Sequence, residues 1–308
     1  MSTGVAYLFP GQGAQTVGMG RAFYERFEES RTIYKRANAR LGFDVTALCF
    51  EGPLEELTKT QACQPALFVT SIAAFAAFHP LAPSFKPIGA AGLSLGELTA
   101  LAVADALTFT DALYLVQARA DAMADCAAHH PGAMLAVIGL SNEAVQEICQ
   151  QTDVVAANFN APDQMVLSGR IPAIEEAERL AHAKGAKRTV RLGVAGAFHS
   201  PLMEPAATQF RQALAKVEIA VPKFPVVSNV TGEPVVDPEA IRELLVKQIV
   251  SPVLWELSMR RLIQQGATLF VEFPPARVLT ALLRRIDGSV KGIAIDEPAD
   301  FDKLAEIV

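Results

Sequence analysis

The chain has 308 residues, 51% of them apolar, and its 27 basic and 33 acidic side chains leave a formal charge of −6. That is enough apolar matter for one large domain or a large and a small one, and it offers no basic footprint for nucleic acid. Four widely spaced cysteines (Cys49, Cys63, Cys126, Cys149) with no Cys-x-x-Cys pair argue against a disulfide framework or a zinc knuckle, and no leader-like segment opens the chain, so a cytoplasmic protein is expected.

Val5 to Phe9 reads as a short buried strand that runs into Pro10-Gly11-Gln12-Gly13-Ala14-Gln15. That loop is either an ordinary glycine turn or a stretch of backbone laid close to whatever sits above the sheet. Charged and apolar residues then alternate at helical spacing from Arg21 to Ala39, and Pro65 to Phe78 reads as a nearly all-apolar helix with proline in its first turn. Charges are expected to interrupt every apolar run before it reaches membrane-spanning length, so no membrane partner is expected.

Next comes Gly92-Leu93-Ser94-Leu95-Gly96, a Gly-x-Ser-x-Gly between a short apolar run and good helix formers. This places Ser94 on a sharp strand-to-helix turn. A turn so tight leaves no room for Cβ at the flanking positions. It aims the Leu95 amide and the positive end of the helix dipole at the serine oxygen, where an oxyanion would form in acyl transfer. The plain alternative is a serine that merely caps a helix. Asp111 to Ala127 is a further long helix, opened by a cap region at Thr108 to Asp111. It carries Arg119 among apolar residues, as a functional cation or as a surface arginine that snorkels.

His129-His130-Pro131-Gly132 breaks that helix. Strands at Ala133 to Ile138, Val154 to Asn158, Gln164 to Ser168 and Lys187 to Leu192 then interleave with helices at Asn142 to Gln150 and Ile171 to Lys184. The order β-α-β-β-α-β is the ferredoxin-like pattern. A small ferredoxin-like domain over residues 130–196 is therefore expected as an insert in a large α/β domain formed by 1–129 and 197–308. The hinge Gly193-Val194-Ala195-Gly196 returns the chain to helices ending near Val217, at Pro238 to Val250, Val253 to Gln265 and Arg277 to Ile286, with strands near Pro225 to Asn229 and at Thr268 to Phe273. Strands alternating with helices imply a mostly parallel, helix-covered sheet.

A serine needs a base, and the chain has five histidines. Four of them fall at helix ends, in a loop or on a polar helix face. His199 follows the hinge and can overhang the sheet edge that carries Ser94, as a base or as a structural histidine.

Phe9-Pro10-Gly11-Gln12-Gly13-Ala14-Gln15, Thr60-Gln61 with Gln64-Pro65-Ala66-Leu67, Gly92 to Glu97, Asn158-Phe159-Asn160-Ala161-Pro162, Ala197 to Met203 and Ser228-Asn229-Val230-Thr231-Gly232 together resemble the malonyl-CoA:acyl-carrier-protein transacylases, in order and across nearly the whole chain. The resemblance implies an α/β-hydrolase-like large domain with a ferredoxin-like insert. It implies Ser94 as nucleophile and His199 as base, with the backbone carbonyl of Gln248 in place of a triad carboxylate. The amides of Leu95 and Gln12 would form the oxyanion hole, Arg119 would pair with the malonyl carboxylate, and Gln64, Asn160 and Phe198 would line the substrate site. Phenylalanine before the histidine resembles the malonyl-selecting version, whereas serine there goes with methylmalonyl.

Two departures stand out: Leu93 replaces the family's histidine before the nucleophile, and Pro274-Pro275-Ala276 replaces its Gly-Pro-Gly. The resemblance implies malonyl-CoA and an acyl carrier protein as partners, no metal or redox cofactor, a monomer, and a place in fatty-acid or polyketide biosynthesis. A hydrolase using the same pair, or a silent scaffold subunit, are the rival readings. Carrier proteins are acidic, and Lys184, Lys187, Arg188 and Arg191 are either a docking surface for one or a solvated strand face.

Overall fold

Short runs, most of them apolar and bounded by glycine, proline and polar residues, form ten strands among the described residues of the computed structural model, which are 4–82, 85–194, 196–275 and 277–305. In chain order they are β1 (Gly4–Phe9), β2 (Pro87–Gly92), β3 (Ala133–Ile138), β4 (Val154–Ala161), β5 (Gln164–Gly169), β6 (Arg188–Arg191), β7 (Val226–Val227), β8 (Pro234–Val235), β9 (Ala267–Glu272) and β10 (Lys291–Ala294). Ala195 of the expected hinge and Ala276 of the Pro274-Pro275-Ala276 loop lie outside the described residues.

One sheet has the order β10-β9-β1-β2-β7-β8, parallel throughout except for β8. Its central strand β1 is apolar at successive positions because helices cover both faces: Tyr7 and Phe9 pack into one core, and Ala6 and Leu8 into a second core around Trp255 and Phe270. Phe9 pairs with Gly92 and Leu8 with Glu272. The loops after β1, β2 and β9 therefore emerge side by side at the carboxyl edge of the sheet, where open α/β folds hold their ligands.

The second sheet has the order β4-β5-β3-β6 with every pair antiparallel, the arrangement the β-α-β-β-α-β pattern predicts. It builds its own core from Leu135, Val137, Ile148, Leu167 and Ile174. Backbone bonds from Phe159 N–H to the Val253 carbonyl (2.9 Å) and from Val253 N–H to the Ala157 carbonyl (2.8 Å) tie it to the larger layer. This tie fixes the end of β4, and with it Asn160, over the sheet edge.

Several expectations are corrected. The helix expected over Arg21 to Ala39 is two helices, Arg21–Arg26 and Glu28–Leu41, because Phe27 takes an extended conformation between them and packs its ring against Phe23 and Phe301. Pro65 lies in the interior of a helix that begins at Thr60, not in its first turn. The Gln61 carbonyl that an amide at position 65 would have bonded instead accepts from Gln117 Nε2 at 3.5 Å. The expectation that charges interrupt every apolar run fails at Thr60–Leu81, a stretch of 22 residues with mean hydropathy 1.4 in its most apolar window. That window is 78% buried, because the helix Thr60–Phe78 is packed between Glu28–Leu41 and Phe109–His129.

Candidate active site

Ser94 occupies the turn between β2 and the helix Gly96–Val103 with a left-handed φ of 53°. Such a conformation costs a non-glycine residue about 1–3 kcal/mol and persists only where its surroundings hold it. Here Asn229 is the splint: its Oδ1 accepts from the Ser94 amide at 2.7 Å, while its Nδ2 donates to the Gly92 carbonyl at 2.8 Å. The flanking glycines are a spatial requirement. A Cβ on Gly92 would lie 1.8 Å from the Gly96 carbonyl carbon, and one on Gly96 would lie 2.2 Å from the Phe9 oxygen.

His199, 4% exposed and also left-handed at φ 57°, places Nε2 2.7 Å from Ser94 Oγ. Its Nδ1–H donates to the Gln248 carbonyl at 2.8 Å. A carbonyl can only accept, so Nδ1 carries the proton and Nε2 is left to take the serine hydrogen. Burial, followed by the nearby Arg119 charge, pushes the imidazole pKa down to about 4. The ring is therefore neutral near pH 7, as a base must be.

Arg119, 2% exposed, does not snorkel. Its Nη1 donates to Gln64 Oε1 at 2.8 Å, and its Nη2 donates to both Ser94 Oγ and Gln248 Oε1 at 2.9 Å. Burial lowers its pKa to about 10 against the opposing pull of Glu97, which leaves it fully charged. Glu97 is itself buried, and that burial raises its pKa to about 7. Its Oε2 accepts from Gln248 Nε2 at 2.6 Å and from the Asn229 amide at 3.0 Å.

A cavity of about 210 Å³ opens over this group and is lined by Gln12, Gln64, Ser94, Leu95, Arg119 and His199 among others. Asn160, Phe198 and Leu93 also line it, and buried Asn160 Oδ1 meets no hydrogen-bond donor among the described residues. Gln12 turns its side chain toward Thr58 and Thr60. No hydrogen bond reaches its main-chain amide or that of Leu95 among the described residues. Gln248 does not line the cavity; it stands behind Arg119 and His199, touching both.

Eight of the nine residues singled out from the sequence thus meet at one cavity, and the ninth supports them. Sequence reasoning missed the parts played by Glu97, Asn229 and the Gln248 side chain. The available signal was the one charged side chain on the otherwise uncharged helix Gly96–Val103. The basic cluster is thinner than its sequence suggests: Lys184 pairs with Glu147 and Arg191 with Glu175 and Glu178. Only Lys187 and Arg188 of the four have no ion pair among the described residues. No group of three or more His, Cys, Asp or Glu side chains is placed to hold a metal among the described residues.

The family model for the acyl transferase domain matches residues 6–295. A malonyl CoA-acyl carrier protein transacylase of Bacillus subtilis is 39% identical over 305 residues, covering 97% of this chain and 95% of the relative. The crystal structure of an acyl-carrier-protein S-malonyltransferase from Bartonella henselae superposes with a TM-score of 0.95 at 36% identity and 99% coverage of both chains. A malonyl transacylase solved in complex with its type II polyketide acyl carrier protein superposes at 0.93, with 36% identity over 99% of this chain and all of the other.

Proposed function

The chain belongs to the malonyl-CoA:acyl-carrier-protein transacylase family of acyl transferase domains, and we propose that it moves a malonyl group from malonyl-CoA to the phosphopantetheine thiol of a carrier protein through an ester on Ser94. The observation that carries this reading is the placement of Ser94 Oγ 2.7 Å from His199 Nε2 and 2.9 Å from Arg119 Nη2. Nucleophile, base and a cation for the substrate's carboxylate meet at the wall of one cavity.

Ser94 Oγ attacks the thioester carbonyl as its proton passes to His199 Nε2. The charge on the former carbonyl oxygen meets the amides of Leu95 and Gln12, preorganised donors at the wall of the cavity. The intermediate collapses, the imidazolium returns its proton to the departing CoA sulfur, and malonyl-Ser94 remains. The carrier thiol then gives its proton to His199, attacks the ester and releases Ser94 reprotonated. Throughout, the Gln248 carbonyl holds Nδ1–H and steadies the imidazolium, a role that other serine enzymes give to a carboxylate.

Arg119 selects the acyl group. A malonyl carboxylate brought into this cavity needs a partner, and a planar guanidinium offers two parallel hydrogen bonds. One polypeptide supplies the whole site, since Ser94, His199, Arg119 and Gln248 all belong to it. The test is a mutant cycle: Ser94→Ala and His199→Ala should each lower transfer by several orders of magnitude, and together cost little more, because residues acting as one unit are not additive. Additive losses would remove the shared unit.

A further inference from the structure

Glu97 lies one helical turn beyond Ser94, 3% exposed, and the two-step transfer written above makes no use of it. A carboxylate so deep is tolerated only where it is hydrogen-bonded, and its bonds lead straight to the reacting groups. Oε2 accepts from Gln248 Nε2 at 2.6 Å and from Asn229 N–H at 3.0 Å. Asn229 holds the Ser94 amide. The Gln248 amide also bonds the Ser94 carbonyl at 3.0 Å, its Oε1 accepts from Arg119, and its main-chain carbonyl accepts from His199.

A primary amide has a donor end and an acceptor end of similar shape, so a neighbour must fix which way it faces. The Glu97 oxygen, an acceptor beside Nε2, does so, leaving Oε1 for the guanidinium; the reverse pose would turn an NH₂ toward Arg119. We propose that Glu97 is a positioning residue that supplies the acid of this site one link removed: it grips Gln248 and Asn229, and through them holds the carbonyl on His199 and the turn under Ser94. In a Ser-His-Asp site the carboxylate touches the histidine itself. Here a peptide carbonyl makes that contact, and the carboxylate anchors the residue that carries it. The inference rests on the transfer reading above, because it assigns His199 the base's role.

Three substitutions separate the possibilities. Glu97→Ala removes the anchor. Glu97→Asp keeps the carboxyl group but withdraws it by one methylene from Gln248. Glu97→Gln keeps an oxygen able to accept both hydrogen atoms. Steady-state transfer from malonyl-CoA to a holo carrier protein is measured with the imidazole N–H proton resonance of His199 in ¹⁵N-histidine-labelled protein. Glu97→Ala and Glu97→Asp should lower kcat about 10- to 100-fold, the cost of leaving a buried donor without its acceptor, with KM for malonyl-CoA changed less than about threefold. In both, the His199 Nδ1–H signal should move or broaden away; Glu97→Gln should recover most of the rate and the signal.

Should Glu97→Ala not fold, the aspartate and glutamine variants carry the test. Wild-type rates in Glu97→Asp, or a lost rate with the His199 signal unmoved, overturns the inference. Ser94→Ala is run alongside. Transfer surviving in Ser94→Ala defeats the underlying reading, whereas an inert Ser94→Ala beside full-rate Glu97 variants defeats only the role of Glu97.

Discussion

Arg119 Nη2 donates to Ser94 Oγ at 2.9 Å, so the cation proposed to receive the substrate's carboxylate also rests on the oxygen proposed to attack its thioester. A malonyl carboxylate that draws the guanidinium toward itself relieves Ser94 of that donor, whereas an acetyl group leaves it in place.

The first prediction follows from that contact. Arg119→Ala should lower kcat/KM for malonyl-CoA by about 3–5 kcal/mol in transition-state terms, roughly 10² to 10⁴-fold, as for a buried charge left without its partner. Acetyl transfer should rise relative to malonyl transfer. Arg119→Lys should recover only part of the loss, since an ammonium offers a point charge and not a fork. Kinetics with the two thioesters decides it: an Arg119→Ala variant that prefers malonyl as strongly as wild type places the anchor elsewhere.

The second concerns pH. The His199 pKa is depressed to about 4 by burial and by Arg119, so the acid limb of kcat/KM should lie near pH 4 and not near the ordinary histidine value. In Arg119→Ala one of the two depressing causes is gone, and the limb should move to higher pH. The same shift bears on folding. A histidine with a lowered folded pKa favours the native state fully above its unfolded value of about 6.5, and that contribution is lost as pH falls toward 4. Thermal melts between those pH values should show wild type losing stability that His199→Gln does not lose.

The third is steric. Gly92→Ala would place Cβ 1.8 Å from backbone, where no side-chain rotation relieves the clash. It should destabilise the fold by at least about 3 kcal/mol and abolish transfer. Gly185→Ala is the control: its Cβ meets nothing within 4 Å, so it reports only the smaller strain of a side chain at positive φ. Chemical denaturation of the two variants measures the difference.

The fourth concerns the carrier. Because Lys184 and Arg191 already pair with glutamates, reversing Lys187 and Arg188 to glutamate should raise the KM for an acidic carrier and flatten its salt dependence, while malonyl-CoA kinetics stay as they were. An unchanged carrier KM removes this face from the docking surface.

Local chemistry made much of this legible from the chain alone. The turn at Ser94 announces itself because both glycines and the serine lie within a few residues, and the ferredoxin-like insert because its periods switch cleanly between helix and strand. Arg119 could be named but not placed, since an arginine on an apolar helix reads alike whether it snorkels or is buried. Asn229 and Glu97 meet across 132 positions of sequence, and nothing near either residue encodes that meeting. The helices Val45–Glu51 and Leu54–Thr58 are too short to show a period, and the edge strand β10 buries only Ile293, so it lacks the alternation that marks a strand. The break at Phe27 is decided by the distant ring of Phe301.

The ester on Ser94 can be sought by mass spectrometry of the protein incubated with malonyl-CoA alone. A malonyl adduct is expected on the peptide that contains Ser94, persistent in buffer, discharged on adding a holo carrier protein and absent from Ser94→Ala. No adduct at Ser94, an adduct elsewhere, or one that water removes as fast as the carrier does, would contradict it.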